Sequence, residues 1–265
     1  MAWTLVDFAR GLIYRRYDAQ LLRQVRSEPV PRHVGIILDG NRRHARTQGL
    51  SDFRRIYEIG ARKLDDVLDW CAGLGIPAVT LWVCSTDNLS RPANEVLGIL
   101  AAIEQKMRAL AADPRIHRLG VRVEAIGRLE LLPASVTAAI EAARQATAAN
   151  GQMTLTIAAG YGGREEIADA MRALLDDCAR RDLSLQEAIG QVTPEAIGRH
   201  LYMPHLPDPD LIIRTSGEVR LSGFLLWQSA YSEFYFSDVY WPAFRRIDFL
   251  RAIRTFQGRH RRYGQ

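Results

Sequence analysis

The sequence predicts a single α/β domain in which helices flank a mostly parallel central sheet of about six strands. Short apolar segments without polar alternation recur along the chain, as expected for strands that are buried on both faces. Stretches with the apolar period of a helix separate these segments, which is the arrangement of parallel strands joined by crossover helices. Polar, glycine-containing stretches follow several of the apolar segments and indicate loops at one edge of the sheet.

The N-terminal segment is the first predicted helix. Residues 1–26 place apolar side chains at helical spacing, with five arginines among them. Because Pro29 and Pro31 end this pattern, we expect an amphipathic helical extension at 1–30 and one domain at 31–265. A basic helix of this kind either contacts an anionic membrane surface or packs on its own domain.

The elements of the domain follow from short apolar runs and from helical periodicity. Strands are predicted at 33–38 (HVGIIL), 78–84 (AVTLWVC), 121–126 (VRVEAI), 153–158 (MTLTIA) and 211–214 (LIIR). Helices are predicted at about 52–74, 93–112, 133–149, 163–181, 222–231 and 247–260.

The composition is that of an ordinary globular protein. The chain has 265 residues, of which 48% are hydrophobic and 25% charged. No apolar run approaches the roughly 18 residues that a membrane span requires, so we expect a cytoplasmic protein. The cysteines Cys71, Cys84 and Cys178 lack C-x-x-C spacing, and we expect reduced thiols rather than a disulfide framework or a zinc site.

The charge is biased toward arginine, with a net value of +5. Only Lys63 and Lys106 among the 35 basic residues are lysines. Guanidinium groups bind phosphate through two parallel hydrogen bonds, so an anionic ligand is one interpretation and a coding bias is the other. A nucleic-acid binder would need base-reading or aromatic side chains beside a basic stripe, and we expect no nucleic-acid partner.

The first strand ends in a segment that is suited to phosphate. It is Asp39-Gly40-Asn41-Arg42-Arg43, in which the glycine permits a sharp turn and the arginines supply positive charge. A helix beginning here would add free N–H groups, and the aspartate could hold Mg²⁺ against phosphate oxygens. A helix-capping aspartate in an ordinary turn fits the same residues, and this segment alone does not decide between the two.

Three further strand ends carry similar chemistry. They are 85–92 (STDNLSRP), 161–164 (YGGR) and 214–222 (RTSGEVRLS). Helix capping alone does not readily explain four such strand ends at one edge of the sheet. The segment 214–222 also has two guanidinium groups around a glycine loop, which suits a phosphate group. The common nucleotide-binding, serine-hydrolase and zinc-protease motifs are absent from the sequence.

Five ordered blocks resemble the cis-prenyltransferase family, the Z-type polyprenyl diphosphate synthases related to undecaprenyl diphosphate synthase. The blocks are 33–46 (HVGIILDGNRRHAR), 84–92 (CSTDNLSRP), 158–167 (AAGYGGREEI), 210–242 and 262–264 (RYG). The resemblance implies an Mg²⁺-dependent enzyme, a homodimer, that condenses isopentenyl diphosphate with an allylic diphosphate such as geranyl or farnesyl diphosphate.

The resemblance also implies roles for individual residues at matching positions. Asp39, Ser85 and Asn88 would be catalytic, and Asp39 and Glu233 would bind the metal. Substrate contacts are implied at Gly40, Asn41, Arg42, Arg43, His44, Tyr57, Ser85, Thr86, Arg91, Arg214, Arg220, Ser222, Arg262 and Gly264. The identity of the general base stays open among Asp39, Ser85, Asn88 and the departing diphosphate.

The sequence departs from the long-chain members at several positions, among them His44, Tyr57, Phe53 and Leu89. Val83 stands where alanine is frequent, and a larger residue there would shorten the tunnel for the product. The same pattern resembles the actinobacterial short-chain branch that forms Z,E-farnesyl diphosphate, and we expect a short product.

Alternative functions within the fold are a medium- or long-chain synthase, a branching enzyme of the lavandulyl type and a non-catalytic partner subunit. The last would lack the aspartate of the first motif, which is present here as Asp39. The segment 65–69 (DDVLD) matches the aspartate motif of trans-type prenyl synthases, but the apolar face of its helix predicts a solvated surface.

Overall fold

The computed structural model describes residues 5–259, with side chains from Tyr14 onward. Its strands are β1 (His33–Ile37), β2 (Ala78–Ser85), β3 (Val121–Ile126), β4 (Met153–Tyr161), β5 (Leu211–Arg214) and β6 (Glu233–Phe236). They form one sheet in the order β3-β4-β2-β1-β5-β6, and all neighbouring pairs are parallel. The predicted α/β fold with about six parallel strands is therefore confirmed.

Helices flank the sheet, and most of them follow the periodicity of the sequence. The described chain contains α1 (Leu5–Arg26), α2 (Asn41–Thr47), α3 (Phe53–Leu74), α4 (Ala93–Ala112), α5 (Pro114–Arg118), α6 (Ala134–Thr147), α7 (Gly163–Arg180), α8 (Leu185–Gln191), α9 (Pro194–Arg199) and α10 (Arg246–Gln257). The short helices α5, α8 and α9 have no counterpart among the predicted elements.

The register of the central strands places three strand ends side by side. Ile37 of β1 pairs with Trp82 of β2 and with Arg214 of β5. All five residues of β1 are buried, because β2 and β5 cover its edges and helices cover the faces of the sheet. The polar segments that follow these strands consequently meet at one edge.

The prediction of a helix at 222–231 is wrong. This segment is a series of turns, and Ser222, Gly223 and Leu225 have φ angles of 53°, 96° and 44°. Positive φ angles are incompatible with a right-handed helix. Phe224 and Leu225 are nevertheless buried, so the apolar residues of this segment reflect a buried turn rather than a helical face.

Helix α1 packs against the domain over the part whose side chains the structure describes. Leu21 and Val25 are fully buried, and Asp18 forms an ion pair with Arg246 of α10. No helix in the described part of the chain is long and apolar enough to cross a membrane. A peripheral membrane contact of 1–26 stays a prediction.

Candidate active site

A polar cavity of about 580 Å³ opens at the carboxyl edge of β1, β2 and β5. It brings together twelve of the residues that the sequence analysis selected. They are Asp39, Gly40, Asn41, Arg42, Arg43, Tyr57, Ser85, Asn88, Arg91, Arg214, Arg220 and Ser222. Four loops and helices that are distant in sequence supply these side chains, and the parallel sheet brings them to one place.

Asp39 lies at the centre of this cavity, with each carboxylate oxygen facing a guanidinium group. Arg43 Nη2 donates to Oδ1 at 3.2 Å and Arg214 Nη2 donates to Oδ2 at 2.9 Å. Partial burial acts to raise the pKa of Asp39, but the hydrogen bond and positive charge of Arg214 outweigh it, so the pKa lies below its usual value. Asp39 is therefore a carboxylate at neutral pH.

The backbone of Asp39 is anchored by Thr215. Thr215 Oγ1 accepts a hydrogen bond from the Asp39 amide at 2.9 Å and lies 2.7 Å from its carbonyl oxygen, to which it donates. Thr215 is fully buried and follows β5 directly, so the ends of β1 and β5 are held at a fixed separation.

Arg214 is nearly buried, with 6% of its side chain exposed. Its Nη1 donates to Ser222 Oγ at 2.7 Å and to the carbonyl oxygen of Arg220 at 2.5 Å. Its Nε has no hydrogen-bond partner among the described residues. A buried donor without an acceptor is unfavourable, so this nitrogen is available to a ligand oxygen.

Glu218 connects the two arginine-rich loops. Its Oε1 accepts from Arg43 Nη1 at 2.9 Å and its Oε2 accepts from Arg220 Nη1 at 2.5 Å. Arg43 also donates to Ser216 Oγ at 2.8 Å. Because Glu218 binds both side chains, Arg43 and Arg220 already point to one region before any ligand is bound.

Gly40 makes the sharp turn between β1 and α2. Its φ angle is 100°, and a Cβ atom at this position would lie 2.7 Å from Tyr240 Cδ1 and 3.0 Å from Ser216 Cβ. A side chain is thus excluded both by the backbone conformation and by the available space. The turn directs Asn41, Arg42 and Arg43 into the cavity.

Ser85 and Asn88 form a reciprocal pair at the end of β2. Asn88 Oδ1 accepts from the Ser85 amide at 3.1 Å, and Ser85 Oγ accepts from the Asn88 amide at 3.1 Å. These bonds close the 3₁₀ turn Asp87–Ser90. The side-chain oxygen Oδ1 of Asn88 is consequently already engaged as an acceptor, whereas the side-chain nitrogen Nδ2 has no partner within the described chain.

Some of the predicted residues do not line the cavity. His44 packs edge-on against Tyr240, with ring centroids 6.5 Å apart, and Thr86 precedes the 3₁₀ turn. Arg262 and Gly264 lie outside the described residues. The described cavity wall therefore contains neither His44 nor Thr86.

Glu233 does not lie beside Asp39 within one chain, and its contribution to a metal and dimer-side network stays a prediction. Glu233 begins β6 and is level with Leu211 and Val34 at the amino end of the sheet. Asp39 follows the opposite end of β1, roughly 15 Å further along the strand direction. Glu233 is instead paired with Arg259.

Sequence reasoning missed several cavity residues, although it had selected their segments. Arg46, Asp87 and Glu218 belong to the motifs around Asp39, Asn88 and Arg214, and their charge was the available signal. Trp82 and Ile99 also line the cavity, and they read as ordinary core residues in the sequence. No group of three or more metal-ligating side chains was found among the described residues.

A small apolar cavity of about 60 Å³ adjoins the polar one between α3 and α4. The two cavities share five lining residues, namely Leu38, Asn41, Tyr57, Val83 and Ile99. Small residues such as Gly60, Ala61 and Ala102 line the apolar part, as does Lys106, whose Nζ lies 2.6 Å from Asp65 Oδ2. The combined space therefore has a charged part and an apolar part.

Comparisons with known proteins agree with this geometry. Residues 37–264 match the family model described as "Putative undecaprenyl diphosphate synthase". The chain is 54% identical to an isoprenyl transferase of Deinococcus radiodurans, covering 97% of this chain and 93% of the relative. It is 50% identical to a (2Z,6E)-farnesyl diphosphate synthase of Thermobifida fusca, covering 95% of this chain and 97% of the relative.

The fold is also that of a solved relative. The crystal structure of lavandulyl diphosphate synthase from Lavandula x intermedia, in complex with dimethylallyl diphosphate, matches with a TM-score of 0.80 and 30% identity. The match covers 89% of this chain and 99% of that one. The family model, the curated relatives and the shared fold establish that the chain belongs to the undecaprenyl diphosphate synthase family of prenyltransferases.

Proposed function

We propose that the protein condenses isopentenyl diphosphate with geranyl or farnesyl diphosphate to form a Z-configured prenyl diphosphate. The observation that carries this proposal is the junction of a polar cavity, lined by six arginines, with an apolar cavity. Prenyl diphosphates have the same division, with a highly charged head and a hydrocarbon tail. A ligand with only one of these parts would leave one of the two cavities without a partner.

The arginines divide into two groups that suit two diphosphates. Arg42 and Arg43 follow Gly40 and would receive the allylic diphosphate, while Arg214, Arg220 and Ser222 would receive isopentenyl diphosphate. The free Nε of Arg214 supports this assignment, because a diphosphate oxygen would satisfy it. Two substrates held side by side lose much of the entropic barrier to their reaction.

The donor set at Asp39 fits Mg²⁺. This cation prefers one or two carboxylates together with substrate phosphates and water, and Asp39 supplies an ionised carboxylate among arginines that bind phosphate. When bound, Mg²⁺ would neutralise negative charge on the leaving diphosphate. We propose Asp39 as its protein ligand. Glu233 of the same chain is too distant to be a second one.

Loss of diphosphate from the allylic carbon generates a delocalised cation and an anionic leaving group. Arg43 lies beside Asp39, the proposed ligand of Mg²⁺, and would stabilise the charge that develops on the allylic diphosphate. Attack by the alkene of isopentenyl diphosphate forms the new carbon–carbon bond, and loss of a proton completes it. The proposed acceptors are Asp39, Ser85 or Asn88 acting through water, and the released diphosphate.

We propose a short product of the Z,E-farnesyl type. The small volume of the apolar cavity supports this, as do Val83 and the charged Lys106 in its wall. The identity to the farnesyl diphosphate synthase of Thermobifida fusca agrees with it. A long-chain product is the alternative favoured by the family description, and branched coupling is the alternative favoured by the lavandulyl diphosphate synthase fold.

The test is to incubate the purified protein and Mg²⁺ with labelled isopentenyl diphosphate and, in separate reactions, geranyl or farnesyl diphosphate, and to size the released lipid. With geranyl diphosphate we expect a single C15 product with a Z double bond. The absence of any transfer would refute the proposed function, and a long or branched product would refute only the proposed product. Omission of Mg²⁺ should abolish transfer.

We further propose that the enzyme is cytoplasmic and forms a homodimer, and that 1–26 contacts the membrane peripherally. The basic residues of this segment support the contact. Sedimentation equilibrium would give the oligomeric state. Flotation with anionic and neutral vesicles would test the contact, since a basic helix should bind only the anionic ones.

A further inference from the structure

Glu95 is a buried acid directly behind the polar cavity, in the first turn of α4. Only 3% of its side chain is exposed, and it does not itself line the cavity. A buried carboxylate is unfavourable unless cations and hydrogen-bond donors surround it. The partners of Glu95 therefore determine what it does.

Three residues from three different elements bind Glu95. Arg91 Nη1 donates to Oε1 at 2.7 Å, and Tyr57 Oη donates to the same oxygen at 2.8 Å. Arg42 Nη1 lies 3.4 Å from Oε2. All three partners line the polar cavity. Glu95 consequently joins α2, α3 and the loop before α4 at the back of the cavity wall.

The hydrogen bonds leave most of each guanidinium group available. Arg42 and Arg91 each use only Nη1 toward Glu95, and within the described chain Nη2 and Nε of both have no protein acceptor. Their side chains are 47% and 30% exposed, so the remaining nitrogens are accessible from the cavity. A guanidinium anchored at one nitrogen can still bind a phosphate through the other two.

Tyr57 contributes a neutral donor rather than a charge. Burial and the hydrogen bond to Glu95 raise the pKa of its hydroxyl far above the usual range. The phenol therefore keeps its proton and holds one oxygen of Glu95 in place. The negative charge of Glu95 also reduces the electrostatic repulsion between Arg42 and Arg91.

We propose that Glu95 is a positioning residue that holds the guanidinium groups of Arg42 and Arg91 toward the diphosphate of the allylic substrate. This inference rests on the proposed function and adds to it a residue that does not touch substrate. A long arginine side chain loses rotamer freedom when it binds an anion. A partner that already fixes the side chain reduces this loss, and its removal should weaken binding of that diphosphate specifically.

The test compares Glu95→Gln with Glu124→Gln. Glu124 is also a buried acid with two arginine partners, Arg122 and Arg144, but it lies on β3 away from both cavities. The two substitutions make the same chemical change, and a merely structural role would lower the melting temperature in both. For Glu95→Gln we expect the KM for geranyl diphosphate to rise about tenfold, with kcat and the KM for isopentenyl diphosphate within about twofold.

A second measurement does not depend on turnover. Binding of inorganic pyrophosphate in the presence of Mg²⁺, followed by calorimetry, should weaken about tenfold in Glu95→Gln and stay unchanged in Glu124→Gln. In a background that carries Arg42→Ala and Arg91→Ala, Glu95→Gln should add less than about twofold, because the residues through which it acts are gone.

Equal KM values for geranyl diphosphate and equal pyrophosphate affinities in Glu95→Gln and Glu124→Gln would overturn the inference. A tenfold loss of pyrophosphate affinity caused by Glu95→Gln in the double-arginine background would also overturn it. If Glu95→Gln does not fold, Glu95→Asp serves instead. Its shorter carboxylate cannot reach both arginines, and a pyrophosphate affinity equal to that of the wild type would then overturn the inference. A wild-type protein without any prenyl transfer refutes the proposed function itself, which is a different result.

Discussion

Asp39 Oδ2 accepts a hydrogen bond of 2.9 Å from Arg214 Nη2, although the two residues are 175 positions apart in the chain. The register of β1 with β5 produces this contact, because both residues are at the carboxyl ends of adjacent parallel strands. The same carboxylate faces Arg43 from the other side. Several measurable consequences follow from this arrangement and from its surroundings.

Replacement of Asp39 should stop catalysis without unfolding the protein. Asp39→Asn keeps the shape of the side chain but removes the charge that would hold Mg²⁺. We expect kcat to fall by at least about a thousandfold, with an unchanged circular dichroism spectrum. Asp66→Asn, at an exposed acid paired with Lys63, is the control and should retain full activity. A near-normal rate in Asp39→Asn would contradict the assignment.

The pH dependence of stability should reveal the pairing of Asp39. Its pKa is below the ordinary value of about 4, so Asp39 stabilises the folded state at a pH above that value. This contribution is lost as the pH falls through the lower pKa of the folded state. The free energy of unfolding of the wild type, minus that of Asp39→Asn, should therefore decrease below about pH 4. Urea titrations at several pH values measure this difference, and a constant difference would contradict the pairing.

Arg220 should act on one substrate only. Its side chain is 61% exposed and pairs with Glu218, so Arg220→Ala should leave the melting temperature nearly unchanged. We expect the KM for isopentenyl diphosphate to rise about tenfold, because a charged contact to phosphate is lost. Arg108→Ala, at an exposed arginine on α4 paired with Glu104, is the matched control. An unchanged KM in Arg220→Ala would argue against the clamp.

Val83 should influence product length. It lines both cavities, and removal of its two methyl groups enlarges the apolar part. We expect Val83→Ala to lengthen the product by at least one C5 unit, as measured by chromatography of the lipid. Val79→Ala changes a buried valine of the same strand that lines neither cavity, and it should lower stability by about 1–2 kcal/mol without changing the product. Identical products from all three proteins would place the limit on length elsewhere.

Gly40 should tolerate no side chain. Gly40→Ala combines an unfavourable φ angle with a contact of 2.7 Å to Tyr240, and should lower the free energy of unfolding by about 2–4 kcal/mol. Gly49 has a φ angle of 65°, but a Cβ atom there would have no neighbour within 4 Å, so Gly49→Ala should lower it by only about 1 kcal/mol. Equal losses would show that the close approach at Gly40 has no energetic effect.

The sequence predicted the fold because buried parallel strands and amphipathic helices leave distinct local patterns. Five strands and the edge at which the functional residues gather followed from these patterns. The prediction of a helix at 222–231 failed because apolar residues in a buried turn can have the same spacing as those of a helical face. The short strand β6 was not located in advance, so the sequence did not indicate that Glu233 begins a strand at the opposite edge of the sheet from Asp39. The sequence did not indicate a role for Glu95, because this role depends on tertiary contacts to Tyr57 and Arg42, which sequence periodicity does not reveal.

The pairing of acids with arginines at the cavity has one more consequence. Asp39 and Glu218 occupy guanidinium groups that a diphosphate would use, so they serve as internal counterions for the resting enzyme. When substrate binds, its diphosphate therefore replaces these carboxylates as the partner of the arginines, and it does not bind to unpaired positive charges. Affinity for diphosphates should accordingly depend less steeply on ionic strength than the number of arginines alone would suggest.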